Sequence, residues 1–530
     1  MNKNTYECQG IILKPNISID IPREYIFARV NEISNEMLRG NIRNQLLLIN
    51  DQEMFEFHGY NEPERKAISF SRTTEVNKNL FNVPTIIVAD HQYHVPQEVM
   101  NFFIRKIANG ANALIISDTD GVLASSMIYS QMVGISGELI NKIAEGNEWI
   151  DIYANPEAYF QNKKITYEKY SVDASNILPF YRRRAELTKY PITIAIEPTN
   201  RCNFSCIMCP FHGERNHMLS SYINTEKQCD INIDDALCMI DEVSSWRDPL
   251  VPNQQRLLIP QYRGEPLIYP HLISILKRAK EKNLRISFST NGFYMDDELA
   301  KKLIDLEIDE IYFSIDALSE GIYKIIRPNS DYYRVINNLK NLILKRRKYN
   351  KIFPKVALKF VINDLNFSHQ KDYVDYWLKW VDAVALSPEN YIDVNTCNKQ
   401  YIKKFMFYTL DSEKRLPCTI LLDVLNVCSN GMVVLCYGGE GIQIGNALKD
   451  KLSNIWSSNS RKEVIGIHCQ DNYKLYSVCS DCESWFAYYH RFGDNEMYHY
   501  HETPVMQHYY PTSTIPIDIL EKELNDISEE

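Results

Sequence analysis

Six short apolar runs between residues 192 and 387, separated by amphipathic stretches, constrain this chain more than any other feature. They are ITIAIEP (192–198), RLLIPQY (256–262), LRISFST (284–290), EIYFSID (310–316), KVALKFVI (355–362) and VDAVALS (381–387). Each reads as a short strand buried on both faces of a parallel sheet. Between them, IDDALCMIDEV puts Ile233, Leu237, Ile240 and Val243 on one helical stripe, with Asp234 and Asp235 near the positive end of the helix dipole. HLISILKRAKEK, DDELAKKLIDL, DYYRVINNLKNLILKRRK and HQKDYVDYWLKW follow the same pattern. Six βα units predict an α/β fold, a parallel barrel or an open part of one, with its chemistry at the C-terminal strand ends.

At 530 residues the chain has room for further domains. Hydrophobic residues at 45% and charged residues at 24% exclude disorder over most of its length. No apolar run approaches the ~20 residues that span a bilayer, and MNKNTYECQG has no signal-peptide core. A cytoplasmic protein without a membrane partner is expected. Lys+Arg at 58 against Asp+Glu at 68 leaves no basic surplus for nucleic acid, and PFYRRRAELTK reads as a solvated helix face. Residues 1–185 are mixed α/β, with strand-like TIIVAD (85–90) and ALIISD (113–118) around a helical PQEVMNFFIRKIA (96–108). Their role is open between binding substrate and binding a partner. Asp118-x-Asp120-Gly121 superficially matches a phosphatase motif, but too little chain follows to complete such a core, so it reads as an Asp-Gly turn. The expected domains are 1–185, the barrel at 186–395, a loop-rich cluster-binding extension at 396–490, and a tail at 491–530. That tail is first aromatic and His-rich, then acidic, and its end reads as a frayed helix.

Thirteen cysteines, clustered in a cytosolic chain, point to metal rather than to disulfides. Directly after the first strand, EPTNRCNFSCIMCP supplies Cys202-x3-Cys206-x2-Cys209. Three thiolates on one loop leave the fourth iron of a [4Fe–4S] cube open to a small molecule. The same three also suit a zinc knuckle completed by His212 or His217, or a catalytic zinc with three protein ligands.

With this loop in this place, the chain resembles the radical S-adenosylmethionine (SAM) enzymes, whose C-x3-C-x2-C motif follows the first strand of a partial (β/α)6 TIM-like barrel, the fold the resemblance implies here. Met208 stands where that family often has an aromatic residue, a departure that does not touch ligation. The resemblance implies that Cys202, Cys206 and Cys209 hold a SAM-binding [4Fe–4S] cluster. Gly264 and Glu265, in YRGEPLIYP at the second strand's end, resemble the motif that holds the SAM amino group. A glycine admits the ligand to the backbone and a carboxylate pairs with the ammonium. SFSTNG and YFSIDA carry Ser289, Asn291, Ser314 and Asp316 as further SAM-contact candidates, although residues after strands also serve as caps and turns. Arg327 is placed either at the SAM carboxylate or on the surface, and Ile362 either against the adenine or in the core.

Further on, Cys418-x12-Gly431-x4-Cys436, then Gly-Asn, Ile-Trp and Cys479-x2-Cys482 follow in order. This resembles the SPASM extension, or its shorter twitch form, which binds auxiliary [4Fe–4S] clusters. Cys482 is the last cysteine of the sequence, so one auxiliary cluster on Cys418, Cys436, Cys479 and Cys482 is implied. Ligand count alone suits a structural zinc equally. Cys428 and Cys469 are left over, as buried inert thiols or as a hydrogen-atom donor.

The resemblance further implies reductive cleavage of SAM to a 5′-deoxyadenosyl radical, fed by a one-electron donor of flavodoxin or ferredoxin type. Three function hypotheses stand, the first two implied by the resemblance. The first is oxidation of a small polar substrate, such as a sugar or cyclitol alcohol, with the auxiliary cluster as electron acceptor. The second is maturation of a ribosomal peptide by crosslinking or epimerisation. The third, of another class, is a zinc- or cluster-stabilised binding protein without turnover. A dehydrogenation also needs a base, and sequence does not rank Glu440, His468 and Tyr437.

Overall fold

The computed structural model describes residues 9–13, 44–50, 53–58, 69–73, 85–89, 97–118, 132–135, 156–172, 178–213, 229–246, 256–389, 415, 418–436, 442–480, 482, 491–494, 498–503 and 506–511. The chain divides into two compact units, Met1–Thr188 with Asp248–Pro252, and Lys189–Arg247 with Asn253–Glu530.

The first unit holds a mixed sheet of β1 (Gln9–Leu13), β2 (Asn44–Asn50), β3 (Glu53–His58), β4 (Ser69–Thr73), β5 (Thr85–Ala89), β6 (Ala113–Asp118), β7 (Met132–Ile135) and β8 (Glu168–Val172). Their order is β4-β3-β2-β1-β5-β7-β6-β8. The helix Gln97–Ala108 buries Val99, Phe103 and Ile107, a four-residue repeat that keeps one stripe apolar. The two strands and the helix expected here are present within a residue or so. The proposed turn at Asp120–Gly121 lies outside the described residues.

The second unit contains all six expected barrel strands. They are β9 (Thr193–Ile196), β10 (Leu257–Ile259), β11 (Arg285–Thr290), β12 (Glu310–Ser314), β13 (Lys355–Ile362) and β14 (Ala383–Pro388), each parallel to the next. Three of the connecting helices start on side-chain caps: Asn232 accepts from the amides of Asp234 and Asp235, Asp296 from Leu299, and Asp331 from Arg334. The helix Ile233–Ser245 turns a slightly different face inward than its apolar spacing predicts. Ala236, Met239, Ile240 and Val243 are buried, while Ile233 and Leu237 flank them half-buried. The strand faces are assigned by Phe313, which shares with Val335 of the helix Tyr332–Lys348 the space beside Gly292. Phe313 therefore faces the helices, and Ser314, one residue on, faces the lumen.

Both edges of this six-stranded wall are extended. The extension adds β15 (Val424–Val427) parallel to β9, followed by the antiparallel β16 (Met432–Val434) and β17 (Gln443–Asn446). The segment read from sequence as a tail instead forms β18 (Arg491–Asp494), β19 (Tyr498–Thr503) and β20 (Met506–Pro511). This meander pairs antiparallel to β14 through β20. Its Tyr and Thr side chains favour strands without giving the apolar alternation that announces one. The acidic stretch after it lies outside the described residues. Among the described residues, no helix is long and apolar enough to cross a membrane.

Gly431 explains the glycine in the second cysteine motif. It sits between β15 and β16 at φ +83°, and a Cβ there would meet Leu448 Cγ at 2.4 Å and Asn446 Oδ1 at 2.9 Å. Gly431→Ala is expected to destabilise the protein by about 1–3 kcal/mol, the usual range for a side chain forced into such a conformation. Denaturant midpoints of the reconstituted protein check this, and an unchanged midpoint would refute it.

Candidate active site

The cysteine loop leaves β9 and is held by backbone bonds to the strand ends around it. The Glu265 amide donates to Arg201 O (2.8 Å), and the Ile207 amide donates to Ile326 O (3.0 Å). Gly264 is required by close approach: a Cβ there would lie 2.2 Å from Thr199 O and 2.6 Å from Arg201 O, both immovable backbone.

Seven expected residues line one cavity at the C-terminal strand ends: Cys202, Cys206, Cys209, Gly264, Glu265, Asn291 and Ser314. Burial pushes the Cys202 thiol up to about 12, and the nearby Glu265 carboxylate and the Cys206 and Cys209 thiols add to it. Burial also raises Cys206, against the pull of the Arg327 guanidinium. Three thiols gathered so closely, beside a guanidinium already paired with Asp316, suit a cationic metal cluster, which binds them as thiolates and releases their protons. Among the described residues no three His, Cys, Asp or Glu side chains could hold one metal ion. Cubane thiolates bind different iron atoms, so their sulfurs stand further apart than those around a single ion.

Glu265 is buried, and burial raises its carboxyl. It accepts from Thr290 Oγ1 (2.7 Å), the Leu267 amide (3.1 Å) and the Asn291 amide (2.8 Å). Two of about four acceptor sites thus tie the end of β10 to that of β11 and a third caps the turn Pro266–Ile268, leaving one for a ligand. Asn291 Nδ2 donates to Asn203 Oδ1 of the cysteine loop (2.8 Å).

The other two expected residues do not line this cavity. Ser289 stands opposite Tyr312 on the lumen face, and its amide donates to Gln261 Oε1 (2.8 Å). Asp316 sits behind Arg327, accepting from Arg327 Nε (2.6 Å) and the Val361 amide (2.8 Å). Arg327 is buried, not a surface arginine; it lines the cavity and donates from Nη1 to Cys206 Sγ (3.3 Å). Ile362 is 1% exposed and sits opposite Pro388, as core filling.

In the extension, the thiols of Cys436, Cys482 and Cys479 all raise that of Cys418, in addition to its burial. The four expected ligands thus lie within electrostatic range of one another. Cys428 packs instead with Met432 and Val434 against Tyr262. His468 is 2% exposed, and burial lowers its pKa to about 4. Tyr437 and Glu440 lie outside the described residues.

Sequence reasoning missed the group that joins the extension to the barrel. Glu197, fully buried at the end of β9, accepts from the amide, Nε and Nη2 of Arg263 (2.9, 2.9 and 2.7 Å). It also accepts from the amide and Oγ of Ser429, beyond β15 (2.9 and 3.0 Å). Tyr262 donates to Cys436 O (2.9 Å), and Glu242 accepts from the amides of Leu452 and Ser453. Thr290, Gln261 and His212 were also missed as cavity-lining residues. The available signal was polar residues recurring where buried strands end, as in Gln261 and Arg263.

Comparison with known proteins places this geometry among relatives. Residues 196–353 match the sequence model of the radical SAM superfamily, and residues 418–483 match that of SPASM, an iron–sulfur cluster-binding domain. The tungsten-containing aldehyde ferredoxin oxidoreductase cofactor-modifying protein of Pyrococcus furiosus is 24% identical over 328 residues, 54% of this chain and 86% of that protein. Fe-coproporphyrin III synthase of Methanosarcina barkeri is 24% identical over 192 residues, 36% of this chain and 42% of that protein. A probable GTP 3′,8-cyclase of Saccharolobus islandicus is 29% identical over 268 residues, 47% of this chain and 79% of that protein. Among solved structures, BtrN in complex with AdoMet and 2-DOIA is 13% identical, with 56% of this chain and 93% of that chain covered and a TM-score of 0.34. Streptococcus suis SuiB bound to S-adenosylmethionine is 13% identical, with coverages of 63% and 81% and a TM-score of 0.40. At these TM-scores neither bears on the substrate of this chain.

Proposed function

Since this chain belongs to the radical SAM superfamily and carries a SPASM iron–sulfur domain, with [4Fe–4S] clusters and SAM as its cofactors, we propose that it oxidises a small polar substrate within its barrel. Cys202, Cys206 and Cys209 hold the cluster that binds SAM, and Gly264, Glu265, Asn291 and Ser314 form the wall against SAM. Cys418, Cys436, Cys479 and Cys482 hold the auxiliary cluster. Held there, the cluster and SAM would supply the chemistry of hydrogen-atom abstraction from the substrate. Arg327, fixed by Asp316, sets a buried positive charge beside Cys206. Glu265 spends its hydrogen bonds keeping the ends of β10 and β11 together, so the target C–H and the cofactor are held in one geometry. Asp316 acts behind the wall through Arg327, and the backbone amide of Ser289 holds Gln261.

One observation supports a polar substrate above others: the lumen face of β11 and β12 is polar. Ser287, Ser289, Glu310, Tyr312 and Ser314 recur at alternate positions of β11 and β12, and Ser287 Oγ donates to Glu310 (3.2 Å). The electron donor is a flavodoxin- or ferredoxin-type protein.

Anaerobic reconstitution should give about eight irons per chain, as two [4Fe–4S] cubes require. Incubation with dithionite, SAM and a panel of sugar and cyclitol alcohols should then give a carbonyl product equimolar with 5′-deoxyadenosine. Cys418→Ala with Cys436→Ala should halve the iron and abolish that product while SAM is still cleaved. An unchanged product yield from a variant proven to lack the second cluster would refute the acceptor role. Cleavage without any oxidised product across the panel would refute the substrate class.

A further inference from the structure

The lumen carries one cation that no group described so far neutralises. Strand register places Ser314 opposite Lys359, Lys359 opposite Ala385, and Ala385 opposite His508. Residues directly opposite on neighbouring strands share a face, and Ser314 faces the lumen. The four therefore form one rung across β12, β13, β14 and β20, level with the candidate active site that Ser314 lines.

Among the described residues, Lys359 Nζ has no hydrogen-bond or ion-pair partner. Its nearest charged neighbours are Asp316, which attracts it, and Arg327, which repels it. Asp316 is already engaged by Arg327 Nε and the Val361 amide. That pair is neutral as a unit, so the Lys359 charge is left over. Burial lowers the pKa of Lys359, so its amine is shielded from bulk water. Yet its side chain keeps accessible surface, which on this face opens into the lumen. An ammonium shielded from water without a counter-ion is costly unless a ligand supplies one.

We infer that the rung of Ser314, Lys359 and His508 is a subsite for an oxyanion, a carboxylate or phosphate carried by the substrate. The ammonium supplies the charge, while the serine hydroxyl and the imidazole supply hydrogen bonds from either side. This rests on the reading that the barrel lumen is the substrate chamber, and it narrows the small polar substrate to an anionic one. The C-terminal meander thereby contributes to specificity through His508.

The probe is inorganic phosphate, titrated by calorimetry into the anaerobically reconstituted full-length protein with SAM bound. The wild type should bind phosphate saturably. Lys359→Met should weaken that binding at least tenfold, and Lys359→Arg should restore most of it. SAM affinity is the control and should stay within twofold in both variants. Absence of saturable phosphate binding by the wild type, or equal binding by Lys359→Met, overturns the inference. Loss of SAM affinity in both variants also overturns it, because Lys359 would then belong to the cofactor's site. Iron content and circular dichroism of Lys359→Arg guard against misfolding as the cause. Failure of the wild type to cleave SAM at all is measured separately, and it would sink the underlying enzyme reading instead.

Discussion

Replacing Cys202, Cys206 and Cys209 together with alanine is expected to remove all 5′-deoxyadenosine formation and about half the bound iron. The three thiols line one cavity, and those of Cys206 and Cys209 raise the cost of ionising Cys202. Only a metal cluster makes three thiolates there favourable, so removing them removes the site rather than weakening it. The retained iron should sit in the extension, whose four cysteines are far away in sequence and untouched. Iron analysis and chromatography of the nucleoside product decide the matter. Residual cleavage near the wild-type rate would disprove the assignment of this loop.

Glu197→Ala should be the most destabilising single substitution in the second unit, by about 3–5 kcal/mol. It would leave Arg263, whose side chain is 4% exposed, charged and without its counter-ion. It would also strip the acceptor from the amide and hydroxyl of Ser429. Because those donors belong to the extension, the auxiliary iron should be lost along with the stability. A double-mutant cycle sharpens the test. Glu197→Met combined with Arg263→Met should be much less destabilised than Glu197→Ala, because two apolar groups leave no orphaned charge. Urea midpoints under anaerobic conditions measure this. Equal losses for the single and double variants would show that the pair is not the bond that matters.

The barrel was legible because its signals are local. Each buried parallel strand is a contiguous apolar run, as in KVALKFVI, and each cysteine spacing is read along one loop. What escaped depends on lateral neighbours. Ser289 and Asn291 lie two residues apart, yet one faces the lumen beside Tyr312 and the other the cavity beside Asn203. Asp316 looks like any polar strand end until Arg327 and Val361 are seen to claim both of its oxygens. Glu197 and Ser429 are 232 residues apart, and nothing in either local sequence announces their bond. The strands of residues 491–511 were hidden differently. Polar and aromatic residues on both faces erase the alternation by which a half-buried strand is recognised.

Those added strands have a consequence for how the chain avoids sticking to copies of itself. A six-stranded partial barrel ends in two rows of unpaired backbone donors and acceptors, along β9 and along β14, and such rows template association between molecules. Here β15 occupies the first row and β20 the second. The outermost strands become β17 and β18, each only four residues long. Short outer strands offer a neighbouring chain little backbone to pair with, so the same segments that flank the reaction chamber also blunt the barrel against aggregation.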